Sequence, residues 1–340
     1  MNRTWKAVIV AVALILVGTV LAGCGLWGLD GAWDQLSGNY SMITIEETLS
    51  EDFTNLDVDV FRLDVQLALS PDGTFSYKAT TYETMPCTVT VENGTLRVRQ
   101  QDNRKPHQHI GINWGEPLLT LYLPQTTYEN LIFQGTTSDL GVASGFRFQN
   151  ANIDNTTGDV NFYGQVDGDL TVDCSTGDIM LRDVAANIIT ASVTTGDVYF
   201  ENATCDSLTV STTTGSCFLT DASITAYLSV VSGTGSKRLT NVTCGNLILE
   251  ATSGDHSLVN VIVERDAKME SGTGDWELRG FDAANIRIEA TTGDVEGTLL
   301  SDKIFFTDTT TGDVDVPHSG NGGNCEISTT TGDINIRIVP

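Results

Sequence analysis

From Ile153 to the C-terminus, apolar and polar side chains alternate in short runs, and one such run keeps returning. The returns are marked by glycines: Gly158, Gly177, Gly196, Gly215, Gly235, Gly254, Gly274, Gly293, Gly312 and Gly332, spaced 19 or 20 residues apart. Two residues after the glycine stand Val160, Ile179, Val198, Cys217, Trp276, Val295, Val314 and Ile334. Four after it stand Phe162, Leu181, Phe200, Leu219, Leu239, Leu258, Leu278, Val316 and Ile336. Seven after it stand Val184, Ala203, Ala222, Val242, Val261, Phe281 and Leu300. Five before it stand Ile153, Val172, Val210, Val230, Leu249, Met269, Ile288 and Ile327. Period-2 alternation of this kind predicts two short strands per repeat, separated by turns. No window after residue 36 carries the apolar stripe of an amphipathic helix.

A unit of about 20 residues cannot bury its own apolar face, so successive units must stack. The expected fold is therefore all-β: a single-stranded parallel β-helix, or β-solenoid, each strand pairing with its copy in the next coil. At ~4.8 Å per rung the marked coils make a rod roughly 50 Å long. The corner is a Thr-Gly-Asp turn, with Thr137-Ser138-Asp139 as an earlier, degenerate member. Glycine supplies the positive φ of a tight corner, and Asp can accept hydrogen bonds from neighbouring amides. Ser216 and Ser236 replace the Asp in two coils.

The region before the repeats is strand-rich but irregular. Thr88–Glu92 and Thr95–Arg99 flank Asn93-Gly94, a type I′ hairpin signature. Leu67–Leu69 and Thr74–Tyr77 flank Ser70-Pro71-Asp72-Gly73, a second candidate hairpin. Leu118–Leu123 reads as a strand stopped by Pro124. Residues 38–130 are thus expected to form starting coils and a cap over the open end of the core, and 131–340 the regular β-helix. The chain ends in a strand, Ile334–Val339, with no cap sequence after it. That predicts an exposed edge there, blunted in part by Arg337 and Pro340.

The N-terminus is of a different kind. Arg3 and Lys6, in a basic tip over residues 1–6, precede an apolar run over residues 7–29. The run is long enough to cross a bilayer as one helix, and the cations place its start in the cytoplasm. Residues 30–37 are then a tether and the rest extracytoplasmic. Leu21-Ala22-Gly23-Cys24 offers a competing reading as a lipobox, with Cys24 lipidated. Both readings anchor the chain to the cytoplasmic membrane. The chain carries 18 Lys and Arg against 44 Asp and Glu, a net charge of −26. That excludes nucleic acid as a partner, which needs clustered cations and counterion release.

Three clusters can be weighed for chemistry. The corner aspartates Asp139, Asp159, Asp178, Asp197, Asp255, Asp275, Asp294, Asp313 and Asp333 form a ladder, and a second acidic series runs through Asp154, Asp173, Glu250, Glu270, Glu289 and Asp308. Like charges one rung apart favour a cation or a raised pKa, and calcium is the natural hard cation for oxygen donors. The turn lacks the Gly-Gly-x-Gly-x-Asp pattern of calcium β-rolls, so carboxylates bonded to turn amides are the expected arrangement. Cys174, Cys217 and Cys325 fall at inward positions. Cys205 and Cys244 share one corner two rungs apart, too far for a disulfide. Cys87 has no assigned place, and no disulfide is expected. His107 and His109 form a pair without a third ligand, and His256 and His318 are isolated. No cofactor motif or catalytic signature is present.

The basic anchor, Phe53-Thr54-Asn55-Leu56-Asp57-Val58, Ile110-Gly111-Ile112-Asn113 and the serial Thr-Thr-Gly-Asp turns together resemble the bacterial family called domain of unknown function 4097, also labelled "putative adhesin". The resemblance implies a β-helical extracytoplasmic domain, with no established catalytic activity or ligand. Some relatives sit in operons with envelope-stress signalling proteins. The expected function is therefore non-enzymatic: a cell-surface, adhesin-like scaffold for an envelope glycan or protein. An accessory or sensor subunit that binds a membrane protein is the alternative. A polysaccharide-acting β-helix enzyme is a more distant one, because holding a polyanion needs a cationic cluster and a shaped cleft.

Overall fold

A computed structural model describes residues 41–104, 115–318 and 320–339. The expected span over 7–29, the tether 30–37, Cys24, His107, His109 and Ile110–Asn113 lie outside these residues. Among the described residues no helix is long and apolar enough to cross a membrane.

The described chain is a β-solenoid of stacked coils, as the 19–20-residue period requires. Each regular coil has three straight stretches rather than two. In the coil that follows Gly215 these are Cys217–Thr220, Ala222–Ile224 and Tyr227–Thr234, each paired in parallel with the next coil. The extra corner is made by a non-glycine residue in the left-handed region: Asp183, Asn202, Asp221, Asn241 and Asn260 have φ of 52–55°, and Gly280 closes the series at 64°. Asn and Asp tolerate this conformation because their short side chains bond locally. Here they also bond one another, Asn202 Nδ2 donating to Asp183 Oδ1 at 2.7 Å and Asn241 Nδ2 to Asp221 Oδ1 at 2.8 Å.

The inward columns form one continuous core, with Ile153, Val172, Val210, Leu249, Met269 and Ile288 all inaccessible. Two expected inward residues fail. Leu300 is exposed because Gly297, at φ 148°, shifts the register between Leu278 and Phe281, and Leu299 takes the buried place opposite Phe281. Val314 is also exposed, because its coil ends the stack.

Both ends depart from sequential stacking. Near the start, β2 (Asn55–Val60) and β3 (Asp64–Leu69) lie between two later pairs. On one side are β6 (Thr95–Gln100) and β7 (Leu118–Leu123), and on the other β8 (Thr127–Thr137) and β9 (Leu140–Val142). Antiparallel strands close this end. β5 (Cys87–Glu92) joins β6 through Asn93 and Gly94, both at positive φ as a type I′ turn demands. β4 (Phe75–Tyr82) pairs with β7, and β1 (Met42–Leu49) with β4. The expected hairpin across Ser70–Gly73 does not form. The turn is there, Asp72 accepting from Ser70 Oγ and from the Thr74 amide and hydroxyl, but β7 separates β3 from β4.

At the other end the last repeat is not the last rung. β25 (Gly323–Thr331) and β26 (Ile334–Ile338) insert between β21–β22 (Trp276–Thr292, Val295–Leu299) and β23–β24 (Lys303–Thr311, Val314–Asp315). The open edge expected on Ile334–Val339 is therefore on the penultimate repeat. The residues explain the order. Cys325 and Ile327 of β25 are almost fully buried, while their register partners Phe305 and Thr307 in β23 are only half-buried. A rung with Thr at an inward position loses less at the end of the stack than one with Ile.

Candidate functional site

The ten corner glycines all take positive φ, from 124° at Gly158 to 152° at Gly332. A Cβ on Gly215 would stand 1.8 Å from the Gly196 carbonyl oxygen, so the corners stack too closely for any side chain. The corner aspartates before the terminal rung then reach the rung that follows in the stack. The amides of Asp159, Asp178 and Asp197 donate to the Asp139, Asp159 and Asp178 carboxylates at 2.8 Å, and the Ser216 amide to Asp197 at 2.7 Å. The Ser236 amide donates to Ser216 Oγ at 3.2 Å, so at that step an uncharged serine accepts in place of an aspartate. The amide of Asp275 bonds Asp255 at 3.1 Å, that of Asp294 bonds Asp275 at 2.8 Å, that of Asp333 bonds Asp294 and that of Asp313 bonds Asp333. These last two bonds repeat the intercalated order. Asp64 begins the series by accepting from the Asp139 amide at 2.9 Å. Burial, against the pull of that amide, holds the Asp64 carboxyl above its usual value. The sequence alone did not place Asp64 in the ladder, because its coil carries no Thr-Gly-Asp. Among the described residues no group of three or more His, Cys, Asp or Glu is disposed to hold a metal.

Just before the corner, the outward strand carries a long groove. Its floor is the rank three residues before the glycine, and its walls are the ranks four and two before. Over the later coils it has a volume of about 520 Å³, with Glu250, Glu270 and Glu289 along one wall and Thr252 and Thr291 along the other. Gly272 widens it between them. Over the earlier coils the same ranks line a separate depression of about 260 Å³ beside Asp154 and Asp173. Glu250, Glu270 and Glu289 of the second acidic series thus form one wall of the later groove and Asp154 and Asp173 border the earlier depression, with Ser192, Ser211 and Val231 holding the same rank between them. Lys268 bridges Glu250 and Glu270 at 3.4 and 2.8 Å, and Arg287 pairs with Glu289 and, at 3.7 Å, with Glu326. These exposed pairs are individually weak, so they leave the wall open to competition by another cation.

Beneath the groove the core breaks its own rule. In the column two after the glycine, the register Cys217–Lys237–His256–Trp276 puts a lysine and a histidine where other coils have Val or Ile. Lys237 and His256 are each 1% exposed. Lys237 Nζ donates to Ser232 Oγ at 2.6 Å, and Trp276 Nε1 to Ser271 Oγ at 2.8 Å. Both hydroxyls belong to the groove floor. In the coil between them the equivalent residue is Ala251, and neither ring nitrogen of His256 has a partner. The ring packs on Trp276 with centroids 4.2 Å apart. Burial, with the Lys237 charge beside it, pushes His256 down to about 3, and burial pushes Lys237 down to about 8. The sequence reading set His256 aside as isolated and passed over Lys237. The signal was the two gaps in an otherwise apolar column.

The six described cysteines, Cys87, Cys174, Cys205, Cys217, Cys244 and Cys325, are free and buried. Cys205 and Cys244 flank Ile224 in register, two rungs apart as their spacing indicated. Burial raises every one of these thiols, which makes them packing residues rather than nucleophiles.

Comparison with known proteins bears on the family. Solved structures to which the chain is similar include a protein from Parabacteroides merdae described as a "putative adhesin". It is 13% identical, with 76% of this chain and 97% of that chain covered and a TM-score of 0.45. A protein from Parabacteroides distasonis described as a "putative lipid binding protein" is 13% identical over 76% of this chain and 95% of that chain, with a TM-score of 0.42. A "putative adhesin" from Bacteroides fragilis is 12% identical over 87% and 97%, with a TM-score of 0.32. No curated protein matches the chain. The family model for Toastrack DUF4097 matches residues 53–230, 163–261 and 229–339, three overlapping stretches that take in every corner glycine. The chain belongs to the Toastrack DUF4097 family.

Proposed function

We propose that this chain is a non-catalytic surface scaffold, tied to the bacterial cytoplasmic membrane through residues 7–29 and binding an envelope glycan or protein along its solenoid. The observation that carries the reading is the groove before the corners. Over the later coils it runs along the stacking direction with Glu250, Glu270 and Glu289 on successive rungs of one wall and Thr252 and Thr291 on the other. Repeat surfaces of this form suit extended partners, because each rung offers the next unit of the partner the same contacts. Co-sedimentation of the full chain in detergent with protein-stripped cell walls tests it. Saturable binding that weakens in Glu250→Gln/Glu270→Gln/Glu289→Gln is expected, and no binding would remove the glycan arm of the proposal.

The accessory-subunit reading is favoured by one separate feature, the free edge of β23. A strand left unpaired at one end of a stack is a means of recruiting a protein.

A further inference from the structure

We propose that the outer edge of β23 is a docking site for an extended strand of a partner protein carrying lysine or arginine on its outward face. The proposal rests on the accessory-subunit reading and gives it a location and a chemistry.

β23 pairs with β25 on one side, and among the described residues no strand pairs with its other side. Its sequence begins Lys303-Ile304-Phe305-Phe306-Thr307, a β-prone run with Phe306 55% exposed. Long unprotected edges with large apolar residues are unusual unless something pairs with them. At the opposite end β5, β4 and β1 cover the core, so the unpaired outer edges of β5 and β1 lie on covering strands, whereas the edge of β23 belongs to a coil of the stack itself.

Charge identifies the occupant. The terminal rung carries Asp308, Asp313 and Asp315, all exposed, with Asp302 just before it. Its one cation, Lys303, is buried and committed to Asp282 at 2.7 Å. A second copy of this chain laid along the terminal rung would bring its carboxylates, Asp308 in β23 with Asp313 and Asp315 beyond the corner, towards those of the first, and like charges across a strand pair are destabilising. A strand that brings a cation to Asp308, and another to the Asp313–Asp315 corner beyond it, gains both the ladder bonds and the neutralisation.

The test is hydrogen exchange on the full chain in detergent micelles. The probe is an acetylated nine-residue peptide of alternating lysine and valine, and the control has glutamate for lysine. The lysine peptide is expected to slow exchange in residues 303–311, and the glutamate peptide to leave it unchanged. Asp308→Lys/Asp315→Lys should reverse the preference, at least tenfold in each direction. Both side chains are exposed, so an unaltered melting temperature will show that the fold survives. If it does not survive, wild-type affinity must fall steeply with salt. Absence of protection at 303–311 overturns the proposal. Protection of residues 250–252 and 270–272 instead also overturns it and assigns the cationic ligand to the groove. Protection of 303–311 without peptide, together with dimers in sedimentation, makes the occupant a second copy and overturns it too. Wall binding with an idle edge would sink this proposal alone, leaving the scaffold reading in place.

Discussion

The two ends of the solenoid solve one problem in opposite ways. Both insert an out-of-order rung, β2–β3 at one end and β25–β26 at the other. The first end is then closed by antiparallel strands over an aromatic interior, where Phe53 meets Phe75 edge-on at 5.0 Å and Tyr128 packs on Phe148 at 5.9 Å. The second end stops at β23 with Thr307 half-buried, Val314 exposed and carboxylates around it. A stack needs its apolar column covered, and it can do so by adding strands or by turning the column polar. The first choice moves the unpaired edges onto the covering strands β1 and β5, and the second leaves the ladder of a core coil free for another chain.

The sharpest way to break this comparison is at a corner of the inserted rung. Gly332→Ala places a Cβ 2.0 Å from the Gly293 oxygen at φ 152°. It should cost about 3 kcal/mol or more in a denaturant titration. Gly94→Ala, in the hairpin of the capped end, meets nothing within 4 Å and bears only the left-handed backbone penalty, roughly 1 kcal/mol. Equal losses would show that the rung at the open end is no more tightly stacked than a surface hairpin.

Next in size is a pH dependence that should come chiefly from the middle of the stack. In the unfolded chain His256 titrates near 6.5, and in the fold near 3. The folded state therefore binds fewer protons between those values, and stability falls as pH drops through that window by up to a few kcal/mol. Lys237 gives up its proton near 8 when folded and near 10.5 when unfolded, so its penalty is relieved as pH rises between them. His256→Leu should flatten the acid limb and Lys237→Met raise stability at neutral pH. Thermal melts of both variants from pH 4 to 10 check this, and unchanged profiles would remove the two groups from the account.

Smaller still is Ala251→Ser, which supplies the hydroxyl that Lys237 and Trp276 already have and His256 lacks. A gain of about 1 kcal/mol is expected from one buried hydrogen bond. The smallest expected effect is none. EDTA should leave the melting temperature of the full chain unchanged, since the corner carboxylates already accept backbone amides. A fall restored by calcium would reassign the ladder to metal.

Much of this was legible in the sequence because period and corner chemistry are local. The glycine spacing gave the coils, and the inward columns were right at Val172, Leu219 and Ile288 because alternation fixes the face of a strand. Asn93-Gly94 declared its hairpin for the same reason. Rung order was not legible. Thr309–Asp313 and Thr329–Asp333 both end in Thr-Thr-Thr-Gly-Asp or its close equivalent, and nothing local says which will stack on Gly293. The deciding difference, Thr307 against Ile327, is a matter of burial and appears only when the end of the stack is known. The candidate site was half-visible. The acidic series was on the page as a list of positions, but the groove depends on Gly272 and the small floor residues between the walls. Lys237 and His256 were hidden by their type, since charged and polar residues are read as solvated unless a column is followed through every coil.

The most direct test is hydrogen–deuterium exchange of the unliganded full chain, comparing peptides from 303–315 with peptides from 323–338. The intercalated order predicts slow exchange in 323–338, which is covered on both sides over Ile334 and Asn335, and faster exchange in 303–315, which is paired on one side. The reverse pattern, with 303–315 protected and 323–338 fast, would mean that the repeats stack in sequence, and the open edge on β23 would not exist.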